Sequence, residues 1–179
     1  GVGVHNGRAV SISIEPAKVD TGIVFHRTDL EKDNIIKAVI DNVIDSRLCT
    51  KIKNSSGISV STIEHLMAAL SALGIDNAVV KINSSELPAL DGSSREYVKK
   101  IMGSGIRTQN KRKKIFKVIK KVEVRCGERF ISITPSNSLS VNIAINYPDT
   151  IIGYSQYFYT HTQDNFINNL SMARTYTLH

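Results

Sequence analysis

Tryptophan is absent from the 179 residues, cysteine occurs twice and proline four times. Two cysteines, Cys49 and Cys126, are too few and too widely spaced for a disulfide framework or a zinc knuckle, and a reducing cytoplasm is the expected setting. Few prolines and 22% charged residues argue against disorder. No apolar run approaches the ~20 residues that cross a bilayer, and no secretory leader pattern is expected. The chain opens at Gly1 without a methionine, so upstream sequence is expected. What is present is a 41% hydrophobic content, enough for one good core or two small ones.

Charge is unevenly placed. The net +7 comes largely from nine basic residues between Arg107 and Arg125, among which Glu123 is the sole acid. A nucleic-acid patch would interleave aromatics, but this stretch has only Phe116 and no recognition-helix pattern. An interdomain linker running into a solvated strand explains it first. Weak attraction to an anionic membrane surface comes second and nucleic acid a distant third.

The chain is organised around Ser61 to Gly74. Ile63, Leu66, Met67, Leu70 and Leu73 recur at helical spacing and make one apolar stripe. Ser61 and Glu64 read as a capping box, and Gly74 as a left-handed stop. Glu64 and His65 fall in the first turn, where free amides and the positive end of the helix dipole gather. An acid beside an imidazole there can bind a metal and activate water. Glu64 is equally explained as a capping acid alone, and His65 is more readily explained as an ordinary half-exposed histidine. The residue four after His65 is Ala69, so the two-histidine zinc signature is missing and any metal on His65 needs ligands from elsewhere.

Around this helix the pattern is strands followed by helix, strand and helix. Gly1 to Gly7 reads as a strand entering an Asn6-Gly7 turn with Val10–Glu15 returning. Strands are expected at 22–26, 48–52, 58–60 and 77–82, with a turn at Asn54–Gly57. Val39 to Ile44 fits a strand or a helical turn. A second capping box, Ser93 to Glu96, starts a helix with Tyr97, Val98, Ile101 and Met102 on one side. Beyond a polar basic stretch, strands are expected at 115–119, 122–125, 130–133, 139–145 and 154–159, then a helix near 164–172 burying Phe166, Ile167 and Leu170. The expected class is α+β, with two similar two-layer sandwich domains: residues 1–107, a basic linker 108–114, and 115–179 as the start of an incomplete second domain.

Seven motifs occur in order: Gly1-Val2-Gly3-Val4-His5-Asn6-Gly7, Arg27-Thr28-Asp29-Leu30, Leu48-Cys49-Thr50, Ser61 to Leu70, Gly74-Ile75-Asp76-Asn77, Asp91-Gly92-Ser93 and Ala173-Arg174-Thr175-Tyr176. Together they resemble the zinc-dependent UDP-3-O-acyl-N-acetylglucosamine deacetylases of lipid A biosynthesis, over nearly the whole chain. The resemblance implies two α+β domains with a site between them, a Zn2+ cofactor, and removal of an acetyl group from a glucosamine nitrogen in the cytoplasm of Gram-negative bacteria. It makes Glu64 the general base, His65 a zinc ligand and Thr175 the hydroxyl on the oxyanion. Leu48 and Cys49 become pocket-wall positions. The family places the His5 hairpin near the cleft, though His5 is first explained as a polar turn residue. Arg174 and Tyr176 are candidate substrate-binding positions; Arg174 either orders the threonine loop or meets a substrate phosphate, and a surface ion pair explains it equally.

Three departures accompany the resemblance. The family's other zinc ligands, a histidine and an aspartate, lie beyond His179, as do its general-acid histidine and the insert that forms most of its acyl-chain passage. Tyr176-Thr177-Leu178 replaces the family's Phe-Gly-Phe. A catalytic zinc takes about three protein ligands, so the expectation is an N-terminal fragment, inactive by itself. Its expected partner is the UDP-sugar substrate, with no nucleic acid, at most weak membrane-surface association and no obligate protein partner. The alternatives are a non-catalytic sugar-nucleotide-binding remnant and a basic nucleic-acid-binding α+β domain. His26, His161 and His179 carry no local sign of chemistry, and Cys126 reads as a small turn residue.

Overall fold

The computed structural model describes residues 1–45 and 47–174. They form two compact units, Gly1–Lys111 together with the chain from Phe166, and Arg112–Asn165. The class is α+β.

The first unit carries strands β1 (Ile12–Pro16), β2 (Ile23–Arg27), β3 (Ile35–Lys37), β4 (Val43–Asp45), β5 (Lys51–Lys53) and β6 (Ser59–Ser61). Helix α1 (Glu64–Ala72), strand β7 (Ala78–Ile82) and helix α2 (Arg95–Ser104) follow. One sheet has the order β1-β7-β2-β3, antiparallel except for the parallel β2–β7 pair. Registers place Ile14, Val80, Phe25 and Ile36 in one row across it. Phe25, Ile36 and Val80 are fully buried. Cross-strand apolar rows of this kind are the unit of sheet stabilisation.

The two helices pack on each other. Ile63, Leu66, Leu70 and Leu73 of the expected stripe are buried, as are Tyr97, Val98 and Ile101 of α2. Met102, placed by its spacing with that group, is exposed instead. At the end of α1, Gly74 has φ +70°. The amide of Ile75 donates to the Leu70 carbonyl at 2.8 Å and that of Gly74 to Ser71 at 3.1 Å. This is the left-handed stop that Gly74 predicts.

Both expected capping boxes are absent. Ser61 belongs to β6, and its hydroxyl donates to the Ser85 carbonyl at 3.2 Å. Helix α1 begins at Glu64 itself, with no side-chain cap. In α2, Glu96 accepts from Lys99 at 2.9 Å, while the Ser93 hydroxyl donates to Asp91 at 2.8 Å. Each pair of residue types fits a box, but other partners take both members: residues of other segments for Ser61 and Glu64, and residues two or three positions away for Ser93 and Glu96.

The N-terminal hairpin closes through a Val2–Ala9 bridge, with the Gly3 amide donating to Arg8 at 3.0 Å. The strand after it pairs with β7 rather than with Gly1–Val4. The ambiguous stretch near Val39 resolves into both alternatives, a 3-10 turn at Ile40–Asn42 and then β4. A second sheet, β4-β5-β6, leads into α1. Leu48 and Cys49 stand in a bend before β5, outside the strand expected to hold them.

In the second unit β8 (Val122–Cys126) pairs with β9 (Arg129–Ile133), and β10 (Ser140–Tyr147) with β11 (Gly153–Thr160), as two hairpins. Residues 115–119 run without regular structure, against the strand expected there. Helix α3 (Gln163–Asn168) follows, then a 3-10 turn at Leu170–Met172. Of the three side chains expected inside, Phe166 is buried and Ile167 and Leu170 are half-buried.

Candidate active site at the head of helix α1

The chain turns from β6 into α1 through only two residues, Thr62 and Ile63. Thr62 makes this sharp entry in a left-handed conformation, φ +59°. A β-branched residue there costs on the order of 1–3 kcal/mol. Its buried hydroxyl offsets part of that by donating to Glu86 at 3.1 Å. Glu64 and His65 therefore fall on the first turn of α1, where backbone amides lack helical partners.

Glu64 accepts from the Thr50 amide at 2.9 Å, and the Thr50 carbonyl accepts from the Ile63 amide at 3.5 Å. The segment Leu48–Thr50 is thereby fastened beside the head of α1. Cys49 is half-buried with a free thiol, and Leu48 is 86% exposed at the rim. A carboxylate offers roughly four acceptor sites. One bond to an amide leaves Glu64 able to take a proton.

His65 is half-buried, and its carbonyl accepts from the Ser94 hydroxyl at 2.9 Å. That bond ties the first turn of α1 to the loop before α2. In the same loop Asp91 accepts from the Ser93 hydroxyl and amide, and Arg174 lies 3.6 Å from its carboxylate. The Ser93 hydroxyl holds the Asp91 carboxyl below the usual carboxylate range, helped by the Ser93 amide and Arg174 and opposed by partial burial. Tyr97 donates to the Pro88 carbonyl at 2.9 Å. Burial, and secondarily the charge of Glu64, pushes its phenol far up, so it stays neutral.

Glu64, His65, Cys49 and Leu48 are thus gathered at one helix head. Arg174 reaches the Asp91 loop, whose Ser94 holds His65. Thr175 and Tyr176 lie outside the described residues. Two participants had no signal in the sequence: Glu86, a single acid in a Ser-Ser-Glu-Leu-Pro loop, and Thr62, whose backbone conformation no residue pattern announces.

His65 offers a metal one imidazole. Among the described residues no three His, Cys, Asp or Glu side chains converge as a metal site would need. They do not complete a zinc centre by themselves, and any further ligands must come from outside them.

The profile of the UDP-3-O-acyl N-acetylglycosamine deacetylases matches residues 1–179. The UDP-3-O-acyl-N-acetylglucosamine deacetylase of Shewanella pealeana is 39% identical over 178 residues, covering 98% of this chain and 58% of its own length. The corresponding proteins of Wigglesworthia glossinidia brevipalpis and Campylobacter jejuni are 36% and 37% identical, with 98% of this chain and 60% and 59% of their own lengths covered. The chain spans about three-fifths of the length of these curated relatives.

Proposed function

Because the chain belongs to the UDP-3-O-acyl N-acetylglycosamine deacetylase family, we propose that the complete protein hydrolyses the N-acetyl group of UDP-3-O-acyl-N-acetylglucosamine, a zinc-dependent step in cytoplasmic lipid A biosynthesis. The observation that carries the reading is the Glu64–His65 pair on the first turn of α1, with the Glu64 carboxylate anchored by the Thr50 amide.

In this reading Glu64 accepts the proton of the attacking water, and its bond to Thr50 fixes the carboxylate before substrate arrives. A general base of this kind contributes about 10²–10⁴-fold. His65 is the zinc ligand that these residues supply. The metal, when bound, lowers the pKa of its water to about 7 and polarises the amide carbonyl. Thr175 is assigned the oxyanion, Leu48 and Cys49 the pocket wall, and Arg174 and Tyr176 the substrate. Donors aimed at a developing oxyanion act most strongly where water is excluded.

The experiment is Glu64→Ala in the complete protein. The expected outcome is retained fold and retained metal content with turnover lowered by at least about 10²-fold. Unchanged turnover would remove Glu64 from the reaction.

A further inference from the structure

The junction that delivers Glu64 turns on a buried, β-branched residue, Thr62, held at φ +59°. Glycine takes that backbone conformation freely, so a threonine keeps it only where its surroundings over-determine it. Here they do. On the strand side the Ser61 amide donates to the Ser85 carbonyl at 3.0 Å, and the Leu87 amide donates to the Ser61 carbonyl at 3.1 Å. On the helix side the Ile63 amide and the Glu64 carboxylate both meet the backbone of Thr50. Between the two, the Thr62 hydroxyl donates to Glu86 at 3.1 Å.

Glu86 gives that hydroxyl a fixed anchor. It is 1% exposed and lies in the loop between β7 and α2. The oxygen that Thr62 reaches also accepts from the His5 amide at 2.9 Å, and the other oxygen accepts from the Asn6 amide at 2.9 Å. That second oxygen packs so closely on Gly3 that a Cβ there would stand 2.6 Å from it. Burial alone would raise the Glu86 pKa. The two amides and the Thr62 hydroxyl outweigh it, so the group stays an ionised acceptor. A hydroxyl bonded to a carboxylate is stronger than one bonded to a neutral oxygen, and it is directional. Glycine at position 62 would make the same turn but would leave the departure of α1 from β6 unpinned.

We propose that Thr62, anchored on Glu86, is a positioning residue for Glu64. Its hydrogen bond fixes the angle at which the first turn of α1 leaves β6, and so where the Glu64 carboxylate stands relative to the Thr50 amide and the attacking water. The inference rests on the deacetylase reading above. Thr62 acts through the placement of Glu64 and not on the substrate.

A double-mutant cycle in the complete protein tests this, with Thr62→Val and Glu64→Ala made singly and together and deacetylation followed as release of free amine. Thr62→Val removes the donor and keeps the shape. Its kcat is expected to fall at least about tenfold with KM changed less than about twofold, because a misplaced catalytic group loses rate before it loses binding. Thr62→Ser restores the hydroxyl and is expected to recover kcat to within about threefold of the parent. In the Glu64→Ala background Thr62→Val should cost nothing further, since the group it positions is gone. An unchanged kcat in Thr62→Val, no recovery in Thr62→Ser, or losses that multiply in the double variant would each overturn the inference. Should Thr62→Val fail to fold, Thr62→Gly removes the same donor without backbone strain and completes the cycle with the same expectations. An inactive parent protein would sink the deacetylase reading and the inference with it. An active parent with multiplying losses sinks the inference alone.

Discussion

Thr62 illustrates how one residue can join strain to position. Its left-handed backbone lets β6 turn into α1 within two residues, and its hydroxyl reaches the buried Glu86. Thr62→Val keeps the strained β-branched backbone and removes the donor. It is expected to destabilise the fold by about 1–3 kcal/mol, because a buried acceptor loses a partner. Thr62→Ser keeps the hydroxyl and drops the branch, so its urea midpoint should stay near that of the parent chain. Equal midpoints for the valine and serine variants would remove the hydrogen bond from the account. Glu64 carries a related lesson. Its spacing from Ser61 fits a capping box, yet its carboxylate goes to Thr50 and the hydroxyl of Ser61 to Ser85. Residue type and spacing identified the helix head, and competition from other segments chose the partners.

Elements are held to one another by a few buried polar links. Arg27, at the end of β2 and 9% exposed, makes two bonds to Asp29 at 2.8 and 2.6 Å and a third to the Ser59 carbonyl of β6 at 2.9 Å. It thus joins one sheet to the strand that delivers α1. The Arg27 hydrogen bond, opposed by desolvation, keeps the Asp29 carboxyl below its ordinary range. A depressed folded pKa contributes stability that is present above the unfolded value, about 3.9, and is lost as pH falls through the folded one. Asp29→Asn is therefore expected to lower stability at pH 7, with the gap to the parent narrowing below about pH 4. Urea unfolding at pH 7 and pH 3 checks this, and a gap independent of pH would count against the ion pair. Among the elements, those with strong local signals were legible. The stripe of α1, the Gly74 stop and the apolar run of β7 need only neighbours in sequence. The supposed strand at 115–119 had apolar residues but found no partner among the described strands, and a strand is defined by its partner.

At the scale of the whole molecule the two units differ in how well they cover themselves. The first buries Phe25, Ile36, Leu66, Leu70 and Val80. In the second, the Val122–Ile133 and Val124–Ile131 pairs put four apolar side chains on one face of the β8–β9 hairpin, all exposed. Phe116 stands 97% exposed in the basic stretch before it. Apolar patches of that kind bind dyes and drive association. The 179-residue chain is expected to enhance the fluorescence of a hydrophobic dye, and Val124→Thr with Ile131→Thr to reduce it while the first unit unfolds as before. Dye binding unaffected by the double change would place the apolar surface elsewhere. No helix among the described residues is long and apolar enough to cross a membrane.

The sequence alone determined the α+β class, the helix that carries Glu64 and His65, and the family, whose seven ordered motifs agree with a match across residues 1–179. These are properties of local pattern: periodicity, turn chemistry and short motifs in register. Only the tertiary structure decided what each polar group holds. Glu64 meets Thr50 across 14 residues, Thr62 meets Glu86 across 24, and His5 meets Glu86 across 81. A hydrogen bond over such separations leaves no mark on the spacing of either partner. Its existence follows from the free energy of leaving a buried donor or acceptor unmet, which is defined only once the chain has folded around it.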